Sequence, residues 1–213
     1  MKSCIIALSA LSVLIGCVPS GQVIQNGEAK AAFPGYSQGW MNYYAPGIIR
    51  PDQGTVEMTI QPSQDSTQFG NAWDFVFKII PAQPVNGNTL LGVLFPSLEY
   101  GESSIRLVSR AQRQYCNVSY PGIRFRAGEK LKIAFSWGAE LRLYVNGKLV
   151  GAQAYNTLIA PLPAIFSVQR QSPFHTQAVK ISSRQLSAEK LTAAPEAEFQ
   201  ADADTTFLAS DQL

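Results

Sequence analysis

Lys130-Leu131-Lys132-Ile133-Ala134-Phe135-Ser136-Trp137, a short break, then Leu141-Arg142-Leu143-Tyr144-Val145-Asn146-Gly147-Lys148-Leu149-Val150-Gly151 is the stretch that decides the fold. Leu131, Ile133, Phe135 and Trp137 fall on one side of an extended chain, and Leu141, Leu143 and Val145 repeat the period of two. A helix would space its apolar residues three and four apart, and these do not. Asn146-Gly147 sits between two such runs. A two-residue hairpin turn of type I′ needs positive φ at both central positions, and Asn-Gly supplies both with least strain. The stretch therefore reads as a strand followed by a tight hairpin, with Trp137 closing the apolar face as a core residue.

The same period extends outward. Val56, Met58 and Ile60 alternate within Thr55-Val56-Glu57-Met58-Thr59-Ile60, and Phe75, Phe77 and Ile79 within Asp74-Phe75-Val76-Phe77-Lys78-Ile79. Residues 90–95 form a continuous apolar run that suits a strand buried on both sides. Ile105-Arg106-Leu107-Val108, residues 164–168 and residues 179–182 add short strands. Pro51-Asp52-Gln53-Gly54, Asn86-Gly87-Asn88 and Pro121-Gly122 punctuate them as turns. No helical period is sustained, although residues 186–191 suit one helical turn with Ser187 as its N-cap. Many short strands at close spacing predict an all-β, antiparallel β-sandwich of the jelly-roll type. Its outward positions, among them Glu57, Lys78, Arg106, Arg110, Lys132, Arg142 and Tyr144, are expected to meet solvent.

Three segments carry a more specific resemblance. Residues 131–151, with a strand ending in Trp137 and then Leu141-Arg142-Leu143-Tyr144-Val145-Asn146-Gly147-Lys148, resemble the laminin G-like branch of the concanavalin A-like lectin/glucanase superfamily. Gly54-Thr55-Val56-Glu57-Met58-Thr59-Ile60-Gln61-Pro62 is similar to an early strand of that branch, and residues 179–191 to its closing strand and turn. The segments fall in the family's order over residues 54–191. The resemblance implies a lectin-like jelly roll over residues 32–192. It departs from the pattern at Gln177-Ala178, where many members carry acidic residues before the closing strand.

The chain's ends read differently. Lys2 and the apolar run of residues 5–15 have the layout of a signal peptide, since the run is shorter than the roughly 20 residues a membrane helix needs. Leu14-Ile15-Gly16-Cys17 resembles the lipobox of bacterial lipoproteins. That resemblance implies removal of residues 1–16, diacylglycerol on the Cys17 thiol and a membrane anchor. More than one acyl chain, at about 0.8 kcal/mol per buried CH₂, is needed for firm attachment. Val18 rather than Asp follows the cysteine, so the expected location is the cell envelope, at the outer membrane. Residues 17–31 read as a polar tether. Cys116 is then the one thiol of the mature domain and is expected in the core or an interface. Residues 193–213 carry five acids and no Lys or Arg, and are expected to form a solvated, flexible tail.

Chemistry is sparse. With 17 Lys and Arg against 15 Asp and Glu and no basic run, the chain lacks the footprint of a nucleic-acid binder. Glycoside hydrolases of the resembled superfamily carry carboxylates at alternate positions of one strand, which sets an acid and a nucleophile on one face. Here Glu57 stands alone on its strand, so no catalytic residue is assigned and a non-enzymatic binding role is expected. Gly35-Tyr36-Ser37-Gln38-Gly39 matches G-x-S-x-G, with His175 downstream, but lacks the strand-turn-helix setting of a nucleophile elbow. One His and one mature Cys disfavour zinc. Relatives of the resembled family often bind calcium, and Asp65, Asn71 and Asp74 are the candidate ligands. Sugar sites join aromatic faces to orienting polar groups, which selects Trp73, Tyr100, Arg106, Arg110 and Tyr115 as candidate ligand-binding residues. The expected role is binding of a glycan or an envelope protein. The alternatives are a structural or assembly lipoprotein and, less favoured, a polysaccharide-active enzyme.

Overall fold

The deciding stretch forms β10 (Leu131–Trp137), β11 (Glu140–Val145) and β12 (Lys148–Ala154). The hairpin turn between β11 and β12 has φ of 48° at Asn146 and 76° at Gly147, the double positive φ of a type I′ turn. The computed structural model describes residues 24–25, 28–29, 33–37, 40–44, 47–69, 74–81, 91–99, 102–110, 115–159, 163–169 and 173–210. The signal segment, Cys17 and most of the tether lie outside them.

The remaining strands in chain order are β1 (Ile24–Gln25), β2 (Glu28–Ala29), β3 (Phe33–Ser37), β4 (Trp40–Tyr44), β5 (Gly54–Pro62), β6 (Asp74–Pro81), β7 (Leu91–Glu99), β8 (Glu102–Ser109), β9 (Cys116–Pro121), β13 (Pro163–Gln169), β14 (Phe174–Ser182) and β15 (Thr205–Ser210). They make two antiparallel sheets, ordered β12-β11-β10-β5-β14-β15-β1-β2 and β3-β4-β13-β6-β7-β8-β9. The protein is an all-β sandwich. Its one described helical element is a 3₁₀ turn at Ala188–Lys190, with Ser187 at the N-cap but no capping side-chain hydrogen bond.

The apolar faces meet in one core. Val56, Met58, Ile60, Ile133, Phe135 and Trp137 from the first sheet oppose Phe77, Ile79, Leu107, Phe166 and Val168 from the second, all fully buried. Each such side chain stabilises the fold by about 1.5–3 kcal/mol. Phe166 is the hub, stacked on Tyr43 at 4.8 Å and met edge-on by Phe207 at 4.9 Å. Trp137 is in the core as expected, and its Nε1 donates to the Arg50 carbonyl at 3.0 Å. Its indole lies where a side chain on Gly54 would have to sit, so that position accepts only glycine. Cys116 is buried in the same core.

Four expectations change. Within the expected tether of residues 17–31, Ile24–Gln25 and Glu28–Ala29 are β1 and β2, paired onto β15 at the edge of the first sheet, because their backbone amides find partners there. The chain beyond residue 192 is no solvated tail: Thr205–Ser210 is β15, paired between β14 and β1. Before reaching it, residues 183–204 cross the outer face of the first sheet. Glu57, Lys132 and Tyr144, expected in solvent, are therefore only 2%, 3% and 1% exposed. Strand alternation separates two faces but does not say what covers the second. Finally, the register slips between Phe75 and Phe77, so Val76 takes an extra buried place while Phe75 turns outward over Gly92.

Candidate functional site

Three places bring polar side chains together. The first is the closed one. Glu57, on β5, faces Ala134 of β10 and Lys180 of β14 across the sheet. Its Oε1 accepts the Thr192 N–H at 2.8 Å, and its Oε2 lies 3.8 Å from Lys180 Nζ. Lys180 also donates to Asp202 Oδ2 at 2.7 Å. Burial pushes the Glu57 carboxyl above its ordinary pKa, with Thr192 and the two lysines pulling back. Lys132 donates to Thr59 Oγ1 at 2.8 Å and the Ala197 carbonyl at 2.6 Å, and sits 3.7 Å from the Phe199 ring centre. Burial lowers its pKa to about 8. Beside these charges Tyr144, Ala134, Leu186 and Leu191 pack as a small second apolar cluster. The segment of residues 183–204 thus rests on its sheet through polar and apolar contacts alike. Glu57 is a buried structural carboxylate here, out of reach of a polysaccharide.

The second place is the β8–β9 hairpin at the edge of the other sheet. Ile105 and Leu107 point into the core, so Arg106 and Val108 point out. Arg106 pairs in register with Ser119, and Val108 with Asn117. Arg110 and Tyr115 flank the loop one step beyond the Ser109–Cys116 pair. Arg110 is exposed and Tyr115 is 58% exposed, the largest exposure of any big apolar side chain described. Asn117 Nδ2 donates to the Tyr115 hydroxyl at 3.4 Å. The structure therefore brings Arg106, Arg110 and Tyr115 together on one hairpin. Trp73 and Tyr100 lie outside the described residues.

The third place was not foreseen. A groove of about 380 Å³ is lined by Asp65, Ser66, Thr67, Arg124, Phe125, Arg126 and Glu129. It forms where the segment after β5 meets the loop after β9. Ser66 N–H donates to the Phe125 carbonyl at 3.0 Å, and Gly128 N–H to the Pro62 carbonyl at 2.8 Å. Ile123 and Phe125 are buried and pin the loop, which leaves Arg124 and Arg126 exposed between and beyond them. The groove's carboxylates are used internally: Asp65 Oδ1 accepts the Ala127 N–H at 2.7 Å and Glu129 Oε2 the Arg126 N–H at 2.9 Å. No short-range signal marks this site, because its two halves lie some 60 residues apart in the chain.

Asp65 thus ties two loops together. Of its two proposed calcium partners, Asn71 lies outside the described residues, and only the backbone of Asp74, the first residue of β6, is described. Among the described residues no group of three His, Cys, Asp or Glu side chains converges. The G-x-S-x-G stretch enters a β-hairpin in which Ser37 of β3 pairs with Trp40 of β4, so it is no strand-to-helix elbow. His175 is exposed on β14, opposite Gln61.

Two solved structures share this architecture. The receptor binding domain of botulinum neurotoxin C/D mosaic serotype aligns at TM-score 0.51 and 14% identity, over 80% of this chain and 49% of that one. The botulinum neurotoxin serotype D binding domain aligns at TM-score 0.51 and 13% identity, over 80% of this chain and 50% of that one. The fold they share is an antiparallel β-sandwich. This chain spans about half the length of those domains, and at such identity the likeness is one of fold alone. No family model matches the sequence, and no curated protein matches it. Among the described residues no helix is long and apolar enough to cross a membrane.

Proposed function

We propose that this chain is a lipid-anchored, non-catalytic glycan-binding protein of the cell envelope, its sandwich of the laminin G-like, concanavalin A-like kind. The observation that carries the reading is the contrast between the two sheets. The outer face of one is closed by residues 183–204, and its single strand carboxylate, Glu57, is buried. The hairpin edge of the other offers an exposed aromatic ring, Tyr115, beside Arg110 and the Asn117 amide. Aromatic stacking area with a few orienting polar groups is what a sugar ring requires. The anchor follows from the lipobox-like Leu14-Ile15-Gly16-Cys17, and the short stretch of residues 18–23 ahead of β1 is the spacer between it and the sandwich.

Glycan-array binding of the full chain, with and without calcium, tests the first half. Retention of at least one glycan class, reduced by Tyr115→Ala, supports the reading. Retention of none, with capture instead by an envelope protein that free sugar does not displace, replaces it with a docking role. Labelling with a radioactive fatty acid tests the anchor: label should enter the wild-type chain and be absent from Cys17→Ser.

A further inference from the structure

The 26 residues from Ser103 to Gly128 contain five arginines, at positions 106, 110, 113, 124 and 126, and no Asp, Glu or Lys. In a chain with nearly balanced charge this is a segregation, and the fold gives it a place. The segment takes in β8 after its first residue, Glu102, then β9 and the loop that follows, at the edge of its sheet. Arg110 and Tyr115 stand at one end of β9 and Arg124 and Arg126 beyond the other, with Arg106 between them on the neighbouring strand. β9 is 6 residues long, which separates the ends by roughly 20 Å. At the groove Asp65 and Glu129 each accept a backbone amide and keep their charge, but neither is ion-paired with Arg124 or Arg126, whose exposed guanidinium forks stay open to an oxyanion.

We infer that the ligand is an acidic polysaccharide, laid along β9 from Tyr115 to the groove at Arg124 and Arg126, its carboxylate or sulfate groups meeting the arginines. This rests on the glycan-binding reading above and specifies its substrate class. Three features favour it. All five cations are Arg, whose planar fork pairs two-pronged with oxyanions in a way Lys does not. Thr67, Asn117 and Ser119 add hydroxyl and amide groups suited to sugar hydroxyls. Tyr115 is the only large apolar side chain exposed on this hairpin among the described residues, which gives little apolar surface to enter a bilayer.

The test measures binding of the full chain to polygalacturonate, dextran sulfate and neutral dextran, and to vesicles of anionic phospholipid, at low and high salt. The acidic polymers should bind at least tenfold more tightly than neutral dextran, and the preference should shrink as salt screens the charges. Arg110→Ala and Arg124→Ala should each weaken that binding about two- to fivefold, as expected for exposed charge pairs. Arg184→Ala, an exposed arginine paired with Asp204 on the opposite side of the sandwich, should leave it unchanged. Equal binding of neutral and acidic polymers, insensitive to the arginine variants, overturns this inference and leaves the glycan-binding reading intact. Vesicle binding without polysaccharide binding overturns it in favour of a membrane surface. Failure to bind any polysaccharide here or on the array removes both readings.

Discussion

Lys180→Met gives the sharpest test of how residues 183–204 are held. Lys180 is 4% exposed and Glu57 2%, so neither charge is relieved by water. Removing one member of a buried pair typically costs about 3–5 kcal/mol, because the charge left behind keeps its desolvation cost. With Met at 180, Glu57 retains the Thr192 N–H and the more distant Lys132, and a loss of about 3 kcal/mol is expected. Glu57→Met should cost less, about 2 kcal/mol, since Lys180 keeps its 2.7 Å bond to Asp202 and mainly the Thr192 N–H is orphaned. The double variant leaves no stranded charge on Glu57, so it should fall short of the summed losses by at least about 1 kcal/mol. Urea unfolding of the three variants at pH 7 measures the cycle. A further sign is built in. Glu57 already has a raised pKa, and losing Lys180 raises it more. The folded state then binds the proton more tightly than the unfolded chain, so Lys180→Met should regain stability as pH falls from 7 toward 5. Losses that add within 0.5 kcal/mol, or a Lys180→Met variant with unchanged stability, would refute the idea that this pair is a buried, coupled unit.

Lys132 supplies a second pH signature: its folded pKa of about 8 lies below the unfolded value of 10.5, so the unfolded chain binds more protons between them. Urea-measured stability should therefore rise as pH goes from 8 to 10.5, and Lys132→Met should flatten that rise. Gly54→Ala would drive a methyl into the Trp137 indole, with an expected loss of about 1–3 kcal/mol in urea unfolding and altered tryptophan fluorescence. Deleting residues 193–213 removes β15 from within its sheet and uncovers Lys132, so cooperative unfolding should disappear by circular dichroism; a truncated chain with wild-type stability would contradict the described pairing of β15 with β14.

What the sequence made legible was one side of each strand. Val56, Met58 and Ile60, then Ile133, Phe135 and Trp137, alternate without interruption, and all six are core residues. The same alternation assigned Glu57, Lys132 and Tyr144 to the opposite face correctly and to solvent wrongly. Polar side chains on a strand read alike whether water or a later segment supplies their partners. The cover went unread because its composition is acidic, yet one of those acids, Asp202, is the partner Lys180 uses, and residues 205–210, Thr-Thr-Phe-Leu-Ala-Ser, are covered on both faces and show no alternation to read. Arg106, Arg110 and Tyr115 were legible as a group because one hairpin holds them. Ser66, Thr67, Arg124 and Arg126 were not, because backbone bonds between distant loops, such as Ser66 to Phe125, create their groove only in the folded chain. The buried charges and the exposed arginines therefore divide between the two sheets. On the first, lysines and carboxylates are matched within the molecule and fasten the chain's end. On the β8–β9 edge and the loop beyond it, Arg110, Arg124 and Arg126 are exposed, and among the described residues none of them is ion-paired with a carboxylate. A protein that pairs its charges within the molecule on one face leaves these exposed guanidiniums unpaired on the other, and an oxyanion-bearing chain about as long as β9 has the charge and reach to meet them.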